Sequence, residues 1–425
     1  MNSKISRAGV PVLAAVLASM AAICNAQGEC LDGASCPAFE LSAGYTADFR
    51  RNTTGGMASG NAASGLLELG ALWTSDSILP GALVTTAASM IHSHGSAISG
   101  KLVGDLQGLN NIEAPVGLRM YELWSEVSFG SSQQLSTRVG LLDLNAEFDA
   151  PVTSAFFIGP PFGIGTDLAQ TGENGPAVFP VTSLGLRLAG KLGETISWRA
   201  AAFDGVPGRV DRNSFAPVDL SRRQGALVIG EVAFSVRRLN KLAVGAWSYT
   251  AAFETIDAQV SGTAARKGNR GGYAMIDMPL GSINTARVDG VLRAGVADAR
   301  FNAVSTYVGA AVVASHLLPG RPDDAVGVAV ARGRTGARFR SELAFDGGQP
   351  LKSETAVELT WRAPLRPWLA LVPSMQWVDS PGADRTLRNA WIVGARIEMN
   401  FGHSWPLLAR QREAADGTSL ANVIP

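Results

Sequence analysis

Residues 390–401 read AWIVGARIEMNF and are apolar at every second position: Trp391, Val393, Ala395, Ile397, Met399 and Phe401. Between them stand Ile392, Gly394, Arg396, Glu398 and Asn400, which turn polar toward the end. A strand sends successive side chains to opposite faces, so this segment has one apolar face and one wet face. Two architectures accept such a strand. In a soluble sandwich the apolar face is the core; in a membrane barrel it meets lipid and the wet face lines the interior.

The same alternation recurs along the chain. It is visible in FELSAGYTADFR, GLLELGALW, ALVTTAASM, YELWSEVSF, LSTRVGLL, TSLGLRLAG, TISWRAAAF and ALVIGEVAFSV. It continues through KLAVGAWSYTAAF, GGYAMIDM, GVLRAGVADAR, VSTYVGAAVVA, AVGVAVARG, TAVELTWRA and WLALVPSMQWV. With residues 390–401 these make about sixteen strand-like segments. Most have the roughly 9–11 residues that a tilted strand needs to cross a bilayer. In YELWSEVSF the apolar set is Tyr121, Leu123, Val127 and Phe129, opposed by Glu122, Trp124 and Glu126.

The wet faces favour the barrel. They carry Arg with Glu, Asp or Ser, interspersed with Gly, whereas beyond the N-terminal region Lys occurs only at Lys101, Lys191, Lys241, Lys267 and Lys352. A face in bulk water would use Lys freely; the rigid guanidinium suits ladders and bidentate contacts in confined space. Only 17% of residues are charged, below the roughly 25% usual for soluble domains. The 48 Gly and 21 Pro suit many strands and turns. The 36 basic and 36 acidic residues cancel, so no net charge draws the chain to nucleic acid. Trp and Tyr near the segment ends fit an interfacial girdle, although Trp247 and Tyr249, which share one face, fit either girdle or lumen.

The N-terminus indicates the compartment. Lys4 and Arg7 precede the apolar run VPVLAAVLASMAAI, and then come CNA and Gln27. This is the pattern of a secretory signal, residues 1–26, cut after Ala26; Ile23 before Cys24 argues against a lipoprotein signal. Cys30 and Cys36 remain in a periplasmic segment, 27–38, where the oxidising compartment permits a disulfide. Beyond the signal no run of about 18 apolar residues occurs, so no transmembrane helix is expected. The expected fold is therefore all-β, a transmembrane antiparallel β-barrel over 39–401 followed by a tail, 402–425.

One segment breaks the alternation. Residues 143–180 read DLNAEFDAPVTSAFFIGPPFGIGTDLAQTGENGPAVFP, too long and too rich in Gly and Pro for an ordinary turn. Phe148, Phe156, Phe157, Ile158, Phe162, Ile164 and Phe179 argue against disorder. Such a loop must dock, and in a wide barrel it is expected to fold inward as a constriction; an external cap is the competing reading.

At this loop the sequence resembles the carbohydrate-selective porin family, the OprB type. The likeness is carried by LRMYELWSEVSFG, GLLDLNAEFD, FGIGTDLAQTGENGPAVFPVTSLGLRL and FDGVPG. GDLQGLNNIEAP upstream, LLPGRPDD and GVAVA later, and the closing IVGARIEMNF extend it. The resemblance implies an outer-membrane barrel of sixteen strands that admits sugars by diffusion through a constriction lined with charged and aromatic side chains. Implied partners are carbohydrate solutes, outer-membrane lipid and lipopolysaccharide, the barrel-assembly machinery and, in a homo-oligomer, further copies of the chain. The family tends to stop at the final Phe; here 24 residues follow Phe401.

A sugar entering a narrow passage loses water, and each unpaired hydroxyl costs free energy unless the wall replaces it. Carboxylates accept from adjacent hydroxyls, Arg donates to two oxygens at once, and Trp offers an apolar face to a pyranose. The lumenal candidates are Glu122, Trp124, Glu126, Arg138, Arg187 and Arg199, with Asp143, Asn145 and Glu147 at the loop entrance. The same set would equally serve as a charge ladder that stiffens the wall. No catalytic motif is present, and no cofactor is expected. His92 and His94 lack a third ligand nearby, and Asp323 with Asp324 reads as a turn rather than a calcium site. Alternatives of the same shape are a general or organic-acid porin, or a closed structural or adhesive barrel.

Overall fold

In the computed structural model every alternating segment forms a strand, and the sixteen close on themselves. The structure describes residues 38–406 except 77, 80, 131–133, 209–214, 217, 219–222, 235–238, 263 and 318–319. The expected signal, Cys30, Cys36 and residues 407–425 of the tail lie outside the described residues. The strands are β1 (Ala38–Gly56), β2 (Gly60–Ser75), β3 (Ala82–Gly95), β4 (Gly117–Phe129), β5 (Leu135–Leu142), β6 (Ser183–Leu192), β7 (Ile196–Asp204) and β8 (Ala226–Phe234). They continue as β9 (Lys241–Tyr249), β10 (Arg270–Ile283), β11 (Ala286–Ala297), β12 (Val304–Ser315), β13 (Ala325–Thr335), β14 (Ser353–Arg366), β15 (Leu369–Asp379) and β16 (Arg388–Pro406). Each pairs antiparallel with its sequence neighbour, and β1 pairs with β16 from Ala38↔Pro406 to Gly56↔Arg388. No described helix is long and apolar enough to cross a membrane.

The pleat answers which face is inside. On β16, Trp391, Val393 and Phe401 are exposed, while Ile392 and Arg396 are buried. Leu186 and Leu188 on β6, Val308 and Val312 on β12, and Val328 and Val330 on β13 are likewise exposed. The outer surface is therefore apolar and the interior holds the charges, the inverse of a soluble sandwich and the arrangement lipid requires.

Several strands are longer than a bilayer crossing demands. β1 and β16 each run 19 residues and β2 runs 16. β16 continues past Phe401 to Pro406, so the first residues read as tail are strand. β4 departs from strict alternation. Its register against β3 shifts between Ser89↔Glu122 and Met90↔Met120, leaving Tyr121 unpaired. This bulge turns Tyr121 inward beside Glu122, correcting its placement on the apolar face; it is buried and donates a hydrogen bond to Asp143 Oδ2 at 2.7 Å.

Connections alternate between the two ends. One end has short turns such as 193–195 and the two-residue hairpin 284–285, where Asn284 adopts φ 55°, a left-handed conformation that Asn tolerates. The other end carries 96–116, 143–182, 205–225, 250–269 and 336–352. Outer-membrane barrels keep short turns in the periplasm and long loops outside, which orients the molecule. The connections 96–116 and 143–182 bury apolar residues in the interior against inward positions of the strands. Leu144, Phe148, Ile164, Leu168 and Val178 pack on Phe203, Leu227, Ile229 and Trp247 of the wall. Phe157 and Phe162 pack on Tyr307, Ala329 and Ala331.

Candidate pore lining

Six neighbouring strands each bring a charged side chain to the inner face: Glu126 on β4, Arg138 on β5, Arg187 on β6, Arg199 on β7, Glu231 on β8 and Lys241 on β9. Arg138 stands directly opposite Arg187 in the β5–β6 register. Like charges so placed repel, and here two carboxylates bridge them. Glu126 Oε2 accepts from Arg138 Nε at 2.7 Å and Arg187 Nη2 at 2.5 Å. Glu147, carried by the long connection, accepts from Arg138 Nη1 at 3.0 Å and Arg187 Nε at 2.8 Å, with Arg199 Nε at 3.6 Å. Glu231 Oε1 accepts from Arg199 Nη1 at 3.3 Å and Lys241 Nζ at 3.0 Å, and Tyr273 donates its hydroxyl to Oε2 at 2.8 Å. The result is a continuous belt of four cations and three carboxylates.

The belt is rich in donors. Three guanidiniums and an ammonium offer about 18 N–H groups, against about 12 lone-pair sites on three carboxylates. Ser136 Oγ accepts from Arg187 at 2.6 Å, and the carbonyls of Glu147 and Ala150 accept from Arg199 and Lys241, both at 3.2 Å; the remaining N–H groups are open to another acceptor. Arg199 is the most open member, its side chain 33% exposed. Arg138 is held flat against Trp124, Cζ 3.7 Å from the ring centroid, a cation–π contact that fixes the guanidinium plane.

The opposite side of the barrel is occupied by the long connections. Arg293 of β11 donates to Asp149 Oδ2 at 2.6 Å and to Asp167, and its guanidinium lies 4.9 Å from the Tyr307 ring centroid. Both aspartates are fully buried. The approach depends on glycine twice: a Cβ on Gly165 would stand 2.0 Å from Arg293 Cζ, and one on Gly295 would stand 2.2 Å from Asp167 Oδ2. Further along, Asp277 of β10 accepts from the Thr153 amide and hydroxyl, both at 2.6 Å. Glu358 of β14 accepts from the amides of Ile158 and Gly159, both at 2.7 Å.

The connection 96–116 docks in the same way. Glu354 accepts from the amides of Leu106 at 2.6 Å, Gln107 at 3.0 Å and Gly382 at 2.7 Å. Arg396 donates to Asp48 Oδ2 and Asn110 Oδ1, both at 2.9 Å, and to Asn111 Oδ1 at 2.7 Å. Buried backbone N–H groups require partners, and inward carboxylates supply them. Polar anchors thus tie both connections to the inner face of β10–β16 and β1, and 143–182 also packs its apolar side chains on β7–β9; in the belt, solvent reaches mainly Arg199.

Of the residues singled out from sequence, Glu126, Arg138, Glu147, Arg187 and Arg199 meet in the belt. Trp124 lies beneath Arg138 and is itself buried. Glu122, Asp143 and Asn145 are buried and serve the root of the loop. The Asp143 amide points to Glu122 Oε1 at 3.5 Å, and Asn145 donates from Nδ2 to the carbonyls of Phe148 at 3.2 Å and Asp149 at 3.1 Å. Trp247 and Tyr249 face inward. His92 and His94 face outward with ring centroids 5.6 Å apart, and His94 Nε2 lies 3.2 Å from the Tyr45 hydroxyl. Asp324 accepts from Arg321 Nε and Trp361 Nε1, both at 2.9 Å. Among the described residues no group of three or more His, Cys, Asp or Glu is placed to hold a metal ion.

Sequence reading missed Glu231, Lys241 and the anchors Arg293, Asp277, Glu354 and Glu358. Each occupies an inward position of an alternating strand, which was the available signal.

A model of the family described as "Carbohydrate-selective porin, OprB family" matches residues 64–401, more than half of the chain. The high-pH structure of Pseudomonas putida OprB is similar at TM-score 0.75 with 18% sequence identity, covering 85% of this chain and 94% of that chain. The low-pH structure of the same protein gives TM-score 0.51 and 14% identity, covering 85% and 92%. A mutant of Rh. blastica porin gives TM-score 0.51 and 10% identity, covering 85% and 100%. Among curated proteins nothing matches.

Proposed function

The chain belongs to the carbohydrate-selective porin family of the OprB type, and on that premise we propose that sugars cross it along the belt on β4–β9. The protein is a channel of the outer membrane through which carbohydrates diffuse. The observation that supports a route along the belt is the surplus of donors in a wall where every carboxylate is already shared. A hydrated sugar gives up water as it enters, and the surplus N–H groups replace that water at hydroxyl and ring oxygens. Because the carboxylates hold the guanidiniums in fixed directions, little ordering is needed when solute arrives. Contacts of this kind are weak and repeated, which lets solute leave as readily as it enters.

In this reading Arg199, Arg138 and Lys241 contact solute, Glu126, Glu147 and Glu231 orient them, and the buried Arg187 ties Glu126 to Glu147. Trp124 acts through Arg138, whose guanidinium lies over its ring. Glu122, Asp143 and Asn145 hold the loop root, and the connection 143–182 narrows the passage. Residues 1–26 direct export and are removed, Cys30 and Cys36 pair in the periplasm, and the barrel-assembly machinery inserts the chain. N-terminal sequencing and mass measurement without reductant check the first two.

Liposome swelling tests the route. The wild type should admit glucose faster than an uncharged non-sugar solute of equal size. Arg199→Ala should slow glucose roughly three- to tenfold, the worth of a hydrogen bond in the barrier, and leave the other solute unchanged. Equal slowing of both solutes would make the belt a matter of width alone.

A further inference from the structure

We propose that the outward face of β13 and its neighbours, at the outer end of the barrel, binds the phosphate groups of an outer-leaflet glycolipid. On β13 the outward positions run Val328, Val330, Arg332, Arg334, and all four are exposed. The inward positions between them, Ala329, Ala331, Gly333 and Thr335, are buried. The strand thus changes from lipid-facing to cationic within one step of the pleat. Two arginines, spaced about 7 Å along the strand on one face, then stand at the level where acyl chains give way to headgroups.

The neighbourhood suits an oxyanion. Arg334 is paired across the sheet with Thr306 of β12 and Ser353 of β14, and Arg332 is paired with Thr355. Arg332 Nη2 donates to Ser353 Oγ at 2.9 Å, which leaves most of its donors unused. Neither arginine has an ion-pair partner among the described residues. The outward carboxylate on this level, Asp379, lies beyond Thr355 on the next strand, and Arg300 on the other flank is paired with Asp298 at 2.7 Å. An unpaired arginine pair beside hydroxyls recognises phosphate bidentately. The apolar surface below it, Val330, Val328 and Leu359, lies where the acyl chains of the same lipid would lie. That continuity favours a phosphorylated lipid over free phosphate.

The test uses the full chain in detergent micelles and native mass spectrometry with bisphosphorylated lipid A as probe. Wild type should retain lipid A, and the double variant Arg332→Gln, Arg334→Gln should bind it roughly thirty-fold more weakly, about fivefold for each basic residue at an anionic surface. Arg332→Lys with Arg334→Lys should recover part of the loss, and Arg51→Gln, outward on β1, should bind as wild type does. Glucose-driven swelling measured on the double variant verifies that the barrel is intact. Equal retention by wild type and double variant, or equal binding of dephosphorylated lipid A, would overturn the proposal. Displacement of lipid A by millimolar inorganic phosphate would overturn its lipid part and leave a free-phosphate site.

Discussion

Tyr121 and Glu122 are adjacent in sequence, yet both side chains enter the barrel because the β4 bulge rotates one of them. The Tyr121 hydroxyl satisfies Asp143 at the point where β5 gives way to the long connection. Tyr121→Phe keeps the ring and orphans a buried acceptor, a loss of about 1–3 kcal/mol. The variant should therefore melt at a lower temperature in detergent, with strand content by infrared spectroscopy unchanged. If Tyr121 faced lipid, Phe would be neutral there, so an unchanged melting temperature would contradict the bulge. Arg138 makes a related point about reach. Its guanidinium covers one face of Trp124, so in the proposed route Trp124 acts by aiming its neighbour.

At the scale of elements, the connection 143–182 is held less by its own sequence than by single residues on distant strands. Arg293 secures two aspartates that are 18 residues apart in the loop. Removing one partner from a buried ion cluster costs about 3–5 kcal/mol, because the remaining charges stay buried and unpaired. Arg293→Ala should release the loop from β11. Single-channel conductance should rise, and protease should cut within 143–180 while the strands remain protected. Unchanged conductance together with resistance to protease would mean that Thr153 and Glu358 suffice to hold it.

The strands were legible in sequence because lipid on one side and water on the other impose a period of two, which the segments follow apart from the bulge in β4. Their ends were not, since a strand that rises above the bilayer has no further periodic requirement to meet. The bulge at Tyr121 was hidden because Tyr is at home on either face. The connection 143–182 announced itself by length and aromatic content. The connection 96–116 did not, because its inward seat rests on amide contacts to Glu354 and on Arg396, and a backbone N–H carries no mark in the sequence. Five of the nine lumenal candidates meet in the belt, whereas Glu231 and Lys241 sit in segments whose charged residues looked like ordinary wet-face positions.

For the whole molecule, a chain with no net charge still carries a local imbalance. The belt combines Arg138, Arg187, Arg199 and Lys241 with Glu126, Glu147 and Glu231, four positive charges against three negative, or +1. Charge in a low-dielectric wall focuses on the passage, so a planar bilayer under a KCl gradient should give a reversal potential of the sign for modest chloride preference. Lys241→Glu takes the belt from +1 to −1 and should invert that sign. An unaltered reversal potential would place the narrowest part of the passage elsewhere.

The pairing of β1 with β16 has a temporal meaning. Asp48 meets Arg396 across 348 positions of chain, and contacts between such remote segments form late because the intervening chain must first be ordered. A polypeptide that ends before Arg388 has no partner to offer β1 and presents two open edges of unpaired backbone, which lipid does not tolerate. Closure is therefore the condition for a stable product in lipid, and a chain that lacks its last strand keeps a raw edge.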